Sequence, residues 1–296
     1  MEKRKIFVIG HKNPDTDSVC SAIAYAQLKN EIDTENEYIP LRAGQTNEET
    51  QYVLKQFGVN APQYVMDVKS QVKDIEIRKV DGVDRNISIK AAWKLMRDIG
   101  VVTLPITRDN KLEGLITIAD IATSYMDVHD STTLSTARTV CKNIVETLDG
   151  ALIIGDEEHV FDRGKVLVAA ANPDLMESYI RMGDIVILGN RYESQLCAIE
   201  MQAGCIVVCE GAPVSMTIKK LAVENHCTII STPHDTFTAS RLINQSVPIS
   251  FFMRTEGLIT FSTEAYTDEV RQVMAKKRHR DFPIHDEQGN YIGMIS

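Results

Sequence analysis

The residues with the clearest chemical potential lie in the stretch VIGHKNPDTDSVCSAIAYA, residues 8–26, which places His11, Asp15 and Asp17 at the exit of an apolar run. Imidazole and carboxylate groups suit Mn²⁺, Co²⁺ or Mg²⁺, and two carboxylates two residues apart can serve neighbouring ions. A pair of such ions roughly 3.5–4 Å apart can polarise phosphoryl oxygens and hold a hydroxide as nucleophile. The plainer alternative is structural, with Asp17-Ser18 as a helix cap and Asn13-Pro14-Asp15 as a turn. A second group with chemical potential is GLITIAD, residues 114–120, where Thr117 and Asp120 open a helix. A hydroxyl there can donate and accept, and a carboxylate can accept, hydrogen bonds from a polar ligand. Thr and Asp are also ordinary helix caps.

The elements that must carry these groups follow from periodicity. RKIFVIG (4–10) and EYIPLRAG (37–44) read as strands, with helices over 17–30 and 47–58. Val19, Ala22, Ile23 and Ala26 make a core-facing stripe on the first helix. Two β-α units in series imply a parallel sheet, and His11 falls at the carboxyl end of a strand, where ligands collect. Residues 165–171, 184–190, 204–211 and 227–233 are short continuous apolar runs. Helical segments PDLMESYIRM, YESQLCAIEMQ and VSMTIKKLAVENH separate them, and DTFTASRLINQ follows. Strands buried on both faces lose their alternation, so this block reads as a small doubly wound α/β domain. It has no Walker sequence and no G-x-G-x-x-G.

An internal repeat flanks that block. AAWKLMRDIGVVTLPITRDNKLEGLIT (91–117) parallels TDEVRQVMAKKRHRDFPIHDEQGNYIGMIS (267–296). Met96 precedes Pro105 as Met274 precedes Pro283, a hairpin follows, and Gly114 and Gly293 open matching ends. Repeats of this kind bury a shared face. The basic run Lys276-Lys277-Arg278-His279-Arg280 is either a solvated helix end or a phosphate contact, with Arg278 and Arg280 the candidates. The matching segment Arg97-Asp98-Ile99-Gly100 is far less basic.

Composition bounds the rest. The chain has 296 residues, 44% hydrophobic and 25% charged, with a net charge of −9. That balance offers no electrostatic footprint for nucleic acid or an anionic membrane. No run of about 18 apolar residues is present, and no secretory signal is recognisable, so a cytoplasmic location is expected. The six cysteines then stay reduced, and Cys205 and Cys209 read as buried apolar positions rather than metal ligands.

Each repeat copy resembles a CBS module. VIGHKNPDTDSVCSAIAYA and PLRAGQTNEETQYVLKQFGV resemble the opening of family II inorganic pyrophosphatases, within the DHH phosphoesterase superfamily. The order of regions is similar to the subclass in which a DRTGG domain separates two CBS modules. The resemblance implies a DHH segment over 1–70, CBS module 1 over 71–127, a DRTGG-like domain over 128–246, and an incomplete CBS module 2 over 247–296. It implies that His11 and Asp15 bind one metal and Asp17 a second, with Mn²⁺ or Co²⁺ resident and Mg²⁺ accompanying pyrophosphate. It further implies that Thr117, Asp120, Arg278 and Arg280 bind adenine nucleotides such as AMP, ADP, ATP or a dinucleoside polyphosphate, and that the CBS modules form a homodimer. The Asp-His-His motif and the phosphate-gripping cations of that family cannot be placed, so the chain is expected to be an N-terminal fragment, inactive by itself. Two rivals stay open: an adenylate sensor without catalysis, and a DHH phosphoesterase acting on oligonucleotides or cyclic dinucleotides.

Overall fold

A computed structural model of the chain describes residues 3–126, 130–277 and 280–296. It divides into two units, one of residues 1–71 with 266–268, the other of 72–265 with 269–296.

In the first unit the apolar run forms β1 (Arg4–Ile9), and α1 (Thr16–Ile32), β2 (Asn36–Arg42), α2 (Glu48–Gln56) and β3 (Gln63–Tyr64) follow. β1 and β2 pair in parallel from Arg4 opposite Asn36 to Ile9 opposite Leu41, and β3 adds to the far side of β2. Asp15 caps α1 by accepting the Ser18 amide at 2.9 Å, and Asn47 caps α2 through the Thr50 amide at 2.7 Å. Val19, Ala22 and Ala26 are buried as the stripe predicts, while Ile23 is only half-buried. Two close approaches fix the loop after β1. A methyl at Gly10 would meet Ser18 Oγ, and one at Gly44 would lie 2.6 Å from Pro14 and 2.7 Å from the Lys12 carbonyl.

The second unit contains both copies of the repeat, apart from Thr267 and Asp268 at the start of the second. The first comprises α3 (Ile89–Ile99), β4 (Thr103–Arg108), β5 (Lys111–Thr117) and α4 (Ile118–Met126). The corresponding elements are α11 (Thr267–Lys276), β14 (Phe282–His285) and β15 (Tyr291–Ile295), preceded by the short strand β13 (Phe261–Ser262). The hairpins match residue for residue. Pro105 faces Leu115 as Pro283 faces Met294, Ile106 faces Gly114 as Ile284 faces Gly293, and each ladder slips at the next step. Each copy is also bridged by the chain leading into the other. Arg78 bridges Met294 on β15, and Arg254 bridges Leu115 on β5. The two hairpin glycines make room for these crossings. A Cβ at Gly114 would stand 2.8 Å from the Arg254 carbonyl, and one at Gly293 2.7 Å from that of Arg78. Val72 and Ile77 accordingly pack with Phe282, Ile284 and Ile295 of the second copy.

Between the copies lie α5 (Thr133–Thr136), β6 (Thr139–Val140), α6 (Cys141–Thr147), β7 (Ala151–Ile154), β8 (Val160–Phe161), β9 (Val166–Val168), α7 (Pro173–Tyr179), β10 (Ile185–Leu188), α8 (Tyr192–Glu200), β11 (Cys205–Val208), α9 (Met216–Glu224), β12 (Thr228–Ser231) and α10 (Thr236–Leu242). The sheet order is β7-β12-β11-β10-β9, parallel except for the edge strand β7. β10 and β11 are buried at every position, as continuous apolar runs require. Helical segments cover both faces. Met176, Ala198 and Ile218 from the three crossover helices pack on Val186, Leu188, Ile206 and Val208. On the opposite face, Ile185, Ile187, Cys205 and Val207 join a core shared with Ile144, Ala239 and the first repeat copy. The parallel strands follow consecutively, so their order never reverses, and the sheet lacks the crevice such a reversal creates.

Candidate functional site

The first candidate is the loop joining β1 to α1. His11 Nε2 lies 3.3 Å from Asp15 Oδ1, and both side chains are more than half exposed. The Ser18 amide and the neighbouring His11 hold the Asp15 carboxyl below the usual carboxylate range. Asp17, one residue into α1, points its Oδ1 to Ser21 Oγ at 3.3 Å. The loop therefore brings two donors together and holds the third on its own helix. Among the described residues no three His, Cys, Asp or Glu side chains form a group able to hold a metal ion. The His11–Asp15 pair has the donor chemistry for one divalent cation, with Asp17 left for a second.

The second candidate is a cleft of about 500 Å³ lined by Val102, Thr103, Thr117, Arg254, Arg280 and Phe282, among others. Thr117 and Asp120 form a reciprocal cap on α4. Thr117 Oγ1 accepts the Asp120 amide at 3.2 Å, and Asp120 Oδ2 accepts the Thr117 amide at 2.9 Å and its hydroxyl at 2.6 Å. The cap reading and the binding reading thus describe the same two residues. The second oxygen, Oδ1, accepts from Arg254 Nε at 3.0 Å and Nη2 at 2.7 Å. Asp281, which also lines the cleft, accepts from Thr103 Oγ1 at 2.9 Å and from Arg78 at 3.1 Å, which fixes the segment next to Arg280 that leads into β14. Arg278 lies outside the described residues.

Arg254 and Asp281 escape the sequence reading. A signal for Arg254 was present. Arg78-Lys-Val-Asp-Gly82 and Arg254-Thr-Glu-Gly257 extend the repeat towards its start, each arginine leading to a glycine. Thiol chemistry plays no part in this cleft. Cys141 and Cys227 are buried elsewhere, and burial pushes both thiols up to about 12.

Comparison with known proteins gives these two sites a family. The N-terminal domain of the DHH family matches residues 5–155, the DRTGG domain residues 143–246, and the CBS domain residues 250–296. The chain belongs to the DHH family, and it carries DRTGG and CBS domains. It is 40% identical over 296 residues to a cobalt-dependent inorganic pyrophosphatase of Clostridium perfringens, covering 99% of this chain and 54% of that protein. It is 30% identical over 292 residues to a probable manganese-dependent inorganic pyrophosphatase of Thermotoga maritima, covering 99% of this chain and 53% of that one. The chain thus spans about half the length of the curated relatives it matches. A crystal structure of the CBS and DRTGG domains of the regulatory region of Clostridium perfringens pyrophosphatase, complexed with the activator diadenosine tetraphosphate, is similar with a TM-score of 0.74 and 36% identity. It covers 77% of this chain and is itself matched over its full length. Mixed α/β architecture, expected from the apolar runs, and the DHH, DRTGG and CBS domains implied by the resemblance are what these similarities bear out.

Proposed function

We propose that these residues belong to a metal-dependent inorganic pyrophosphatase, which converts pyrophosphate and water to two phosphates and is regulated by adenine nucleotides. In this reading His11 and Asp15 hold one Mn²⁺ or Co²⁺ ion and Asp17 contributes to a second, with Mg²⁺ accompanying the substrate. The ions supply Lewis acidity and an activated hydroxide. The chain's own loop contributes the placement of the donors through the Asp15 cap and the close packing at Gly10 and Gly44. Thr117, Asp120 and Arg280, with Arg278 of the same basic run, bind the nucleotide. The module boundaries at 70, 127 and 246, the homodimer through the CBS modules, and a cytoplasmic location belong to the same reading. The unpaired cysteines suit a reducing compartment. Among the described residues no helix is long and apolar enough to cross a membrane.

The observation that carries the regulatory half is a cleft lined together by Thr117, Arg254 and Arg280, with Asp120 capped by Thr117 and paired to Arg254 beside it. Calorimetric titration with AMP tests it. Saturable binding by the wild-type chain, weakened by Asp120→Ala, is the expected result. A folded wild-type chain that takes up no AMP or diadenosine tetraphosphate sinks the reading. An adenylate sensor without catalysis is the second reading, favoured by the convergence of only two metal donors. Release of phosphate from pyrophosphate on adding Mn²⁺ or Co²⁺ would rule that sensor out.

A further inference from the structure

Asp120 has no acceptor position to spare. An ionised carboxylate offers about four lone-pair directions. Thr117 takes two through Oδ2, and Arg254 takes two through Oδ1. A ribose diol can therefore reach this carboxylate only by exchange with one of these donors. Thr117 is held by the helix cap it forms. Arg254 is held differently. Its backbone is locked to β5 by two hydrogen bonds with Leu115, at 2.9 and 3.0 Å, but its side chain is 51% exposed. Asp120 is only 13% exposed and cannot follow it outward. Both guanidinium contacts fall on a single oxygen rather than forking across two, the less binding of the two geometries. Arg254 also lines the same cleft as Arg280.

We propose that Arg254 exchanges partners when a nucleotide binds, an inference that rests on the adenylate reading above. The ribose diol donates to Asp120 Oδ1 in place of the guanidinium, and the released guanidinium pairs with the phosphate. The cleft then selects ligands that carry a ribose diol and a phosphate together. A nucleoside can displace Arg254 but leaves it without an anion. A phosphate without the diol can attract Arg254 but leaves the largely buried Asp120 without its cation. Separating a charged pair without replacing both partners is costly. The two halves of the ligand therefore contribute more together than the sum of their separate effects.

The test compares AMP, adenosine and 2′,3′-dideoxy-AMP on wild type, Arg254→Ala and Arg254→Lys, by calorimetry at one fixed salt concentration. On wild type, adenosine and dideoxy-AMP should each bind at least about tenfold more weakly than AMP. Arg254→Ala should weaken AMP and strengthen adenosine relative to wild type, because no ion pair has to open. The gap between AMP and adenosine should shrink by about tenfold. Arg254→Lys keeps the charge without the planar fork and should narrow the gap in the same direction, which preserves the test should the alanine variant fail to fold. Adenosine affinity that is unchanged or lower in a folded Arg254 variant means a static support, and the exchange is wrong. Wild type that binds AMP without that gain overturns the exchange alone. Wild type that binds no AMP overturns the adenylate reading and the exchange with it.

Discussion

Residues 11–17 and the cleft beside Thr117 each place a carboxylate at the start of a helix, and they do so over very different lengths of chain. Asp15 is positioned by its own loop, with a partner amide three residues on and a partner imidazole four residues back. Asp120 is positioned locally by Thr117, but its second oxygen is held by a residue 134 positions away. The loop needs only a strand, a helix and two close-packed glycines. The cleft needs both copies of the repeat, because residues of both line it and the segment before each bridges the hairpin of the other. The difference teaches that a motif written in seven residues is positioned almost entirely by its own loop, whereas a site made by distant crossings is as stable as the pairing that assembles it.

The largest test of that contrast is the core of the second repeat copy. Phe282 is fully buried among Val72, Ile284 and Ile295 and also lines the cleft. Phe282→Ala should cost about 3–5 kcal/mol in urea denaturation and abolish nucleotide binding. It should leave the amide protection of α1 unaltered. Gly114→Ala comes next. Its Cβ would press on the Arg254 carbonyl at 2.8 Å, so the crossing strand must shift, at about 1–3 kcal/mol, and AMP affinity should fall with it.

Smaller effects attach to single charges. Hydrogen bonds from His234 and then Lys90 hold the Asp149 carboxyl below its ordinary value. A depressed folded value stabilises the fold above the unfolded carboxylate pKa, near about 3.9. That contribution disappears as pH falls through the lower folded value. Asp149→Asn should therefore reduce stability at pH 6 slightly and flatten its decline below about pH 4. The least effect is expected at the loop. Asp15→Asn keeps a capping oxygen and should leave exchange protection of α1 unchanged, whereas Asp15→Ala should speed exchange in its first turn. Equal behaviour of the two variants would mean that the cap does not hold the loop.

Local features were the legible ones. The strand β1, the helix after Asp15 and the apolar runs of the middle domain all follow from patterns within a few residues. Helix ends were less so. The segment 235–245 reads as one helix, yet α10 stops at Leu242 and the chain tightens into a 3-10 turn over Ile243–Ser246. The four-residue strand β7 carries too little pattern to announce itself between Gly150 and Gly155. The candidate metal donors His11, Asp15 and Asp17 were legible as residue types, but only His11 and Asp15 come together. Asp281 went unread because its partners Thr103 and Arg78 lie far along the chain, and Arg254 was legible only by extending the repeat back to its two arginines.

The reciprocal crossing at Gly114 and Gly293 also sets a timetable for synthesis. When β5 leaves the ribosome, the strand that must cover it, at Arg254, has not yet been made. The first copy of the repeat waits with an open edge while well over a hundred further residues are translated. The middle domain, whose parallel strands pair with their immediate successors, can fold during that interval. Bridging that long separation adds little closure entropy, since the cost grows only with the logarithm of loop length. It does make the final step slow, because contacts so distant in sequence form late. The same two glycines that admit the crossing segments thus decide that the cleft beside Thr117 is completed only after the middle domain has been made.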